Sequence, residues 1–139
     1  MTVLDQRVSR PAGTRRPLAV LAASTAFVAY VGAVDPNTAG HYPTCPFLLV
    51  TGWYCPGCGS LRAVHALAHG DPVTALARNP LLVVSALALG WVWWGWLRRS
   101  ASGAPRQRVA PGWAVWGFLG VVVVYWVLRN LPGFSLLAP

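Results

Sequence analysis

The sequence predicts an all-α integral membrane protein with three transmembrane helices and a cap of short helices between the first and the second. The first observation is composition: 55% of the 139 residues are hydrophobic and 10% are charged. A soluble domain usually carries about 25% charged residues, because its surface must face water. The second observation is three apolar stretches without a charged residue, each near the length of roughly 17 to 20 residues that spans a bilayer. This composition excludes a disordered tail and argues against a soluble enzyme.

The three predicted spans are uncharged and apolar throughout. They are residues 18–34, 81–97 and 112–128. Pro80 precedes the second span, at a position where its missing N–H costs no helical hydrogen bond. Arg15 and Arg16 precede the first span, as in a cleaved signal peptide. Since the apolar run is longer than a typical signal core, we expect an uncleaved helix.

The positive charge of the chain predicts its orientation. The net charge is +8, and all eleven cations are arginines. Such a balance alone would suggest nucleic-acid binding, but eight of the eleven arginines lie in the polar tail 1–17 and the basic loop 98–111. The positive-inside rule places both segments in the cytoplasm, and the middle segment and the tail 129–139 outside.

These features predict the surroundings and the partners of the chain. We expect a multi-pass protein of the bacterial plasma membrane with a cytoplasmic N-terminus. Its partners would be the lipid bilayer and either another membrane protein or a second copy of the chain. Nucleic acid is not expected as a partner, because the arginines are accounted for by membrane topology.

The middle segment, residues 35–80, carries the residues capable of chemistry, including all three cysteines and all three histidines. Apolar residues recur at a spacing near 3.6 in its second half, which predicts a short helix near 56–70. Asp71 followed by Pro72 is typical of an N-cap and a first helical residue, which predicts another short helix near 71–78. The two short helices would form a compact cap at the outer membrane surface.

The cysteine motif resembles the signature of a known family. The residues that carry the resemblance are Cys45-Pro46-Phe47, Thr51-Gly52, Cys55-Pro56-Gly57-Cys58-Gly59 and Arg62-Ala63, continued by His69-Gly70-Asp71 and Asn79-Pro80. Over about residues 42–97 they are similar to the domain-of-unknown-function 2752 family of small bacterial membrane proteins. The resemblance implies a membrane location and a bacterial source, and it supplies no biochemical activity.

One interpretation of the cysteines is a metal site. Cys-Pro-x-Cys-Gly is the sequence of a zinc knuckle, where Pro and Gly shape a turn that directs two thiolates at one ion. Cys45, Cys55 and Cys58 would supply three of the four ligands of a structural zinc ion. The candidates for the fourth ligand are His65 and, as alternates, His41 and His69. Against this interpretation, zinc ribbons usually have two knuckles, and Cys45 lacks a second cysteine at the matching offset.

Two other interpretations of the cysteines remain open. A Cys-x-x-Cys at a helix N-terminus favours a thiolate, so Cys55 and Cys58 would serve a membrane thiol–disulfide oxidoreductase, with Cys45 as the resolving thiol. Alternatively, a disulfide between Cys55 and Cys58 or between Cys45 and Cys58, or a set of buried free thiols, would only pin the short helices onto the bundle.

Arg62 is a further candidate, as the centre of a site for an anion such as a lipid phosphate. An arginine in such a place more often pairs with a carbonyl oxygen or with a carboxylate such as that of Asp71. The function expected from the sequence is therefore an accessory or structural membrane component rather than an enzyme. Its outward-facing cap would be organised by the three cysteines, with zinc as one way of joining them.

Overall fold

The structure is a computed structural model that describes residues 13–104, 111–134 and 137. Within these ranges the protein is all-helical and contains no strand, which confirms the predicted class. The elements are α1 (Arg15–Ala33), α2 (Pro46–Thr51), α3 (Ser60–Ala68), α4 (Pro72–Arg78), α5 (Pro80–Ser102) and α6 (Gly112–Leu128). Parts of three predicted segments lie outside the described residues: 1–12 of the tail, 105–110 of the basic loop, and 135, 136, 138 and 139 at the C-terminus.

Two helices, α1 and α5, are long and apolar enough to cross a membrane. Only 11% of the most apolar segment of α1 and 6% of that of α5 are buried. Their apolar side chains therefore face the surroundings, whereas the core helix of a soluble protein would be mostly covered. Helix α6 is also apolar but has 17 residues, so length and composition identify two such helices and not the three that the sequence predicts.

Contacts at both ends show that α1 and α5 run antiparallel. Near the start of α1, the carbonyl oxygen of Pro17 accepts a hydrogen bond of 3.0 Å from Trp93 Nε1 in the second half of α5. Near the end of α1, the carbonyl oxygen of Val31 lies 2.9 Å from His65 Nδ1 on α3, and α3 packs through Ala63 and Ala66 with Val83 near the start of α5. The cap therefore lies at the end of the molecule where α1 finishes and α5 begins.

Small side chains form the core between the cap helices and α5. Its buried members are Ala63, Ala66, Ala75 and Val83, with Leu82 packed against them. At Gly32 a Cβ atom would come within 3.1 Å of the Cβ of Ala68, so α1 and α3 approach closely. Because small residues let helix backbones come near one another, the cap is seated directly on the end of α1.

Side-chain caps determine where α4 and α5 begin. The Asp71 carboxylate accepts a hydrogen bond of 2.9 Å from Thr74 N at the start of α4. Asn79 Oδ1 accepts one of 3.0 Å from Leu82 N at the start of α5. Each bond satisfies a backbone N–H that has no partner inside its helix. A proline follows each cap as the first helical residue, where it costs no hydrogen bond.

Candidate metal centre

The sulfur atoms of the three cysteines lie together at one point of the cap. Cys55 Sγ is 3.6 Å from Cys45 Sγ and 3.0 Å from Cys58 Sγ. All three sulfur atoms lie within 4.8 Å of one another. Four sulfur ligands at about 2.3 Å from a tetrahedral zinc ion would be about 3.8 Å apart. The three thiols are therefore close enough to bind one ion.

A tight turn brings Cys55 and Cys58 together. Cys58 N donates a hydrogen bond of 3.1 Å to the carbonyl oxygen of Cys55. Cys55 N donates in return to Cys58 Sγ at 3.2 Å. The turn ends at Gly59, whose φ of +83° is a left-handed conformation that favours glycine. Helix α3 begins at the next residue, so Cys58 precedes this helix and does not lie on one of its faces.

Helix α2 returns the chain from Cys45 to this turn. Cys45 is the residue before Pro46, the first residue of α2. The helix ends at Thr51, and its C-cap Gly52 has a φ of +70°, a left-handed conformation that is common after the last turn of a helix. A single helix of six residues therefore brings the sulfur of Cys45 to that of Cys55.

The surroundings of Cys45 and Cys58 shift the pKa values of these two thiols in opposite directions. The backbone N–H of Leu48 lowers the pKa of Cys45, which is half-buried. Burial, and next the neighbouring Cys55 thiol, raise the pKa of Cys58 to about 12. Without a cation, Cys58 is thus protonated at neutral pH. A bound metal ion deprotonates a coordinating thiol and reverses this preference.

Arg129, one residue beyond the end of α6, holds the cysteine turn. Its side chain is 2% exposed. Nη1 donates hydrogen bonds to the carbonyl oxygens of Cys55, at 2.9 Å, and Pro56, at 3.3 Å. Nη2 donates to the carbonyl oxygen of Cys58 at 3.1 Å. One guanidinium group therefore binds three backbone oxygens within four consecutive residues.

Asn79 holds the same turn from the start of α5. It is 1% exposed, and its Nδ2 lies 3.1 Å from the carbonyl oxygen of Pro56 and 3.3 Å from that of Cys58. Its Oδ1 accepts hydrogen bonds from Leu82 N and, at 3.3 Å, from the hydroxyl of Tyr125 on α6. This amide joins the cysteine turn, α5 and α6.

The histidines lie apart from the sulfur atoms. His65 Nδ1 pairs with the carbonyl oxygen of Val31, and its Nε2 lies 3.7 Å from Asp35 Oδ1. His41 Nδ1 lies 2.9 Å from the carbonyl oxygen of Asp35, and His69 Nδ1 lies 2.9 Å from that of His65. In the part of the chain that the structure describes, the group of converging ligand atoms consists of the three cysteines, and none of the three candidate histidines belongs to it.

Two residues that position the site, Arg129 and Asn79, were not identified as such from the sequence. Arg62, the arginine singled out there, is exposed on α3. The one signal that could have identified Arg129 is a cation directly after an apolar helix, but a helix-end anchor produces the same pattern. Asn79 lies within the pattern that resembles the family, yet a spacing of 21 residues from Cys58 indicates no contact.

Comparison with known proteins bears on residues 45–93. No curated protein and no solved structure matches the chain. A family profile described as "Protein of unknown function (DUF2752)" matches residues 45–93, which include the whole cysteine turn, helices α2 to α4 and the first part of α5. This match confirms the family assignment made from the cysteine motif. The matched segment covers about a third of the chain, and the description of the DUF2752 family names no activity.

Proposed function

We propose that the protein is a small integral membrane protein with an accessory or structural role, whose cap is organised by a zinc ion bound to Cys45, Cys55 and Cys58. The observation that carries the proposal is the convergence of the three sulfur atoms within 4.8 Å. Thiolate sulfur is a soft ligand that suits zinc. A metal site is rarely preformed in an unfolded chain, so metal binding contributes free energy to folding, which suits a cap built from helices of six to nine residues.

The fourth ligand of such a zinc ion has to come from outside the sulfur cluster. His65 would have to leave two contacts in order to serve, one with the carbonyl oxygen of Val31 and one with Asp35. A water molecule requires no such rearrangement. We therefore assign the fourth position to water, with His65 as the alternative and His41 and His69 as less direct substitutes.

The proposed protein crosses the plasma membrane three times, with the N-terminus in the cytoplasm and the cap outside. In support, the end of α1, the start of α5 and the end of α6 all contact the cap, through Val31, Asn79 and Arg129 respectively. The 17 residues of α6 correspond to about 26 Å of helix, close to the hydrocarbon core of about 30 Å.

A thiol–disulfide oxidoreductase is the second candidate function. It is favoured by the approach of 3.0 Å between Cys55 Sγ and Cys58 Sγ. A reactive cysteine, however, needs a lowered pKa and an exposed thiolate. Cys58 is buried, and its pKa is raised to about 12. The metal site therefore agrees better with the environment of the three thiols.

The proposal is tested by measuring the zinc content of the full chain purified in mild detergent without chelators. We expect about one zinc ion per chain, since three thiolates hold a single tetrahedral ion. Cys58→Ser and Cys45→Ser should each lose the metal, whereas Thr44→Ala, at an exposed position beside Cys45, should keep it. Wild-type protein that carries no metal would refute the proposal, and a disulfide among these cysteines would then support either the oxidoreductase or a purely structural disulfide.

A further inference from the structure

We infer that Arg129 is the counter-charge of the metal site, and that it makes the cysteine turn select a divalent thiophilic cation bound as an anionic tri-thiolate complex. The inference rests on the proposed function and deepens it, because it names the charge of the complex and the residue that stabilises it. In this account Arg129 is a positioning residue: it acts on the metal through the turn that carries Cys55 and Cys58.

The positive charge of Arg129 is buried. Arginine is almost never fully buried unless it is paired, and Arg129 is 2% exposed. Nη1 and Nη2 have backbone partners, but Nε is buried without a hydrogen-bond partner among the described residues. One N–H group of this buried side chain therefore lacks a hydrogen-bond partner among the described residues. The side chain contacts the turn that carries Cys55 and Cys58.

Among the described residues, no carboxylate pairs with Arg129. The chain has three acidic side chains. Asp35 lies against His65, and Asp71 caps α4, while Asp5 lies outside the described residues. The rings of Tyr125 and Tyr54, 5.1 and 5.9 Å from the guanidinium carbon, offset part of the charge. Carbonyl oxygens and aromatic rings carry no net charge, so the cation has no anionic partner among the described residues.

The metal-loaded site would carry a net negative charge. Three thiolates and one divalent cation sum to a charge of −1, which one guanidinium group neutralises. A monovalent cation would leave a charge of −2, and a trivalent one would leave no anion for Arg129. The buried charge therefore favours divalent ions that accept sulfur ligands, such as Zn²⁺, Cd²⁺ and Co²⁺. Because Arg129 and Cys58 are buried, the attraction between their charges is screened less by salt than that between exposed charges.

The test compares the affinity for Co²⁺, and for Zn²⁺ by competition, between the wild-type full chain and three variants in detergent. Arg129→Gln removes the charge and should weaken binding about 10- to 100-fold, the range for groups that support metal ligands from outside the coordination shell. Arg129→Lys loses the forked hydrogen bonds but keeps the positive charge. Because the charge is kept, this variant should bind the metal at least about tenfold more tightly than Arg129→Gln does. Arg98→Gln, at an exposed arginine near the far end of α5, is the charge-matched control and should bind as the wild type does.

Two results overturn the inference while leaving the proposed function intact. One is wild-type binding that Arg129→Gln does not weaken. The other is a metal affinity of Arg129→Lys as low as that of Arg129→Gln. Equal affinities would mean that Arg129 acts only through its forked hydrogen bonds to the turn, which both variants lose, and not through its charge. If Arg129→Gln loses the circular dichroism signal of its helices, the test relies on Arg129→Lys instead. The metal affinity of Arg129→Lys must then stay within about tenfold of that of the wild type. A wild-type chain that binds neither ion would instead refute the proposed function itself.

Discussion

Asn130 and Tyr54 are joined by a pair of hydrogen bonds between a side-chain amide and the backbone of one residue. Asn130 Oδ1 accepts from Tyr54 N at 2.8 Å, and Asn130 Nδ2 donates to the carbonyl oxygen of Tyr54 at 2.9 Å. The amide therefore gives hydrogen-bond partners to both backbone groups of Tyr54, the residue directly before Cys55, as a neighbouring β-strand would. Together with Arg129, it ties the end of α6 to the cysteine turn.

Replacing Asn130 should release this connection. Asn130→Ala leaves the N–H and carbonyl groups of the half-buried Tyr54 without these partners, which costs about 1–3 kcal/mol of unfolding free energy. The measurement is denaturant unfolding in detergent, followed by helical circular dichroism. Asn37→Ala is the control, because it removes only the exposed hydrogen bond from Asn37 Nδ2 to Asp35 Oδ1, and its effect should stay within about 0.5 kcal/mol. Equal effects of the two substitutions would contradict the predicted role of Asn130.

The three thiols should react with alkylating reagents in a fixed order in the metal-free protein. Only the thiolate reacts, the pKa of Cys45 is lowered, and that of the buried Cys58 is raised to about 12. We expect Cys45 to be modified before Cys58, with the rate at Cys58 still rising with pH in the alkaline range. Peptide mass spectrometry after timed alkylation measures the order. Addition of zinc should protect all three thiols, and equal rates at Cys45 and Cys58 would show that their environments do not differ as described.

Asp71 should make stability depend on pH in the acid range. Hydrogen bonds from the side chain and the backbone N–H of Thr74 hold the pKa of Asp71 below its usual 3.8. Its contribution is therefore present above the unfolded pKa and is lost as the pH falls through the lowered, folded pKa. The measurement compares the unfolding of metal-free wild type with that of Asp71→Asn, whose side chain caps without a charge. The advantage of the wild type near neutral pH should disappear in strong acid, and an advantage that persists there would contradict the account.

The proposed topology places residues after α6 outside the cell. A reporter enzyme active only outside the membrane, fused after Pro139, should therefore be active, whereas the same reporter fused after Gly103, in the basic loop, should be inactive. The physical reason is the arginine-rich character of the predicted 98–111 loop, which the positive-inside rule retains in the cytoplasm. Activity of the Gly103 fusion together with inactivity of the Pro139 fusion would invert the proposed orientation.

Local sequence patterns predicted the helical class, and length and composition identify two of the three predicted spans in the structure. The apolar runs of α1 and α5 are long enough to be recognised from composition alone. Helix α6 has the same apolar composition in 17 residues, close to the lower limit for a span, where length no longer decides. The predicted cap helices follow from local signals such as Asp71 before Pro72, since caps act within one helical turn.

The sequence indicated the chemistry of the candidate site but not the side chains that hold it. The Cys-Pro-Gly-Cys spacing defines a local turn, so Cys55 and Cys58 could be paired without a structure. Arg129 and Asn79 reach that turn from positions 71 and 21 residues beyond Cys58, and such contacts depend on how helices pack. The histidines show the opposite case, since they are close to the cysteines in sequence but do not join the sulfur cluster. His65 is near the cysteines in sequence, but its ring is paired with α1.

The central claim is that three thiolates of this chain bind one metal ion, and X-ray absorption at the zinc edge tests it most directly. On the purified, zinc-loaded chain we predict three sulfur atoms at about 2.3 Å and one lighter atom, oxygen or nitrogen, at about 2.0–2.2 Å. Cys58→Ser should reduce the sulfur count. A zinc environment of nitrogen and oxygen alone, or with a single sulfur atom, would contradict the claim.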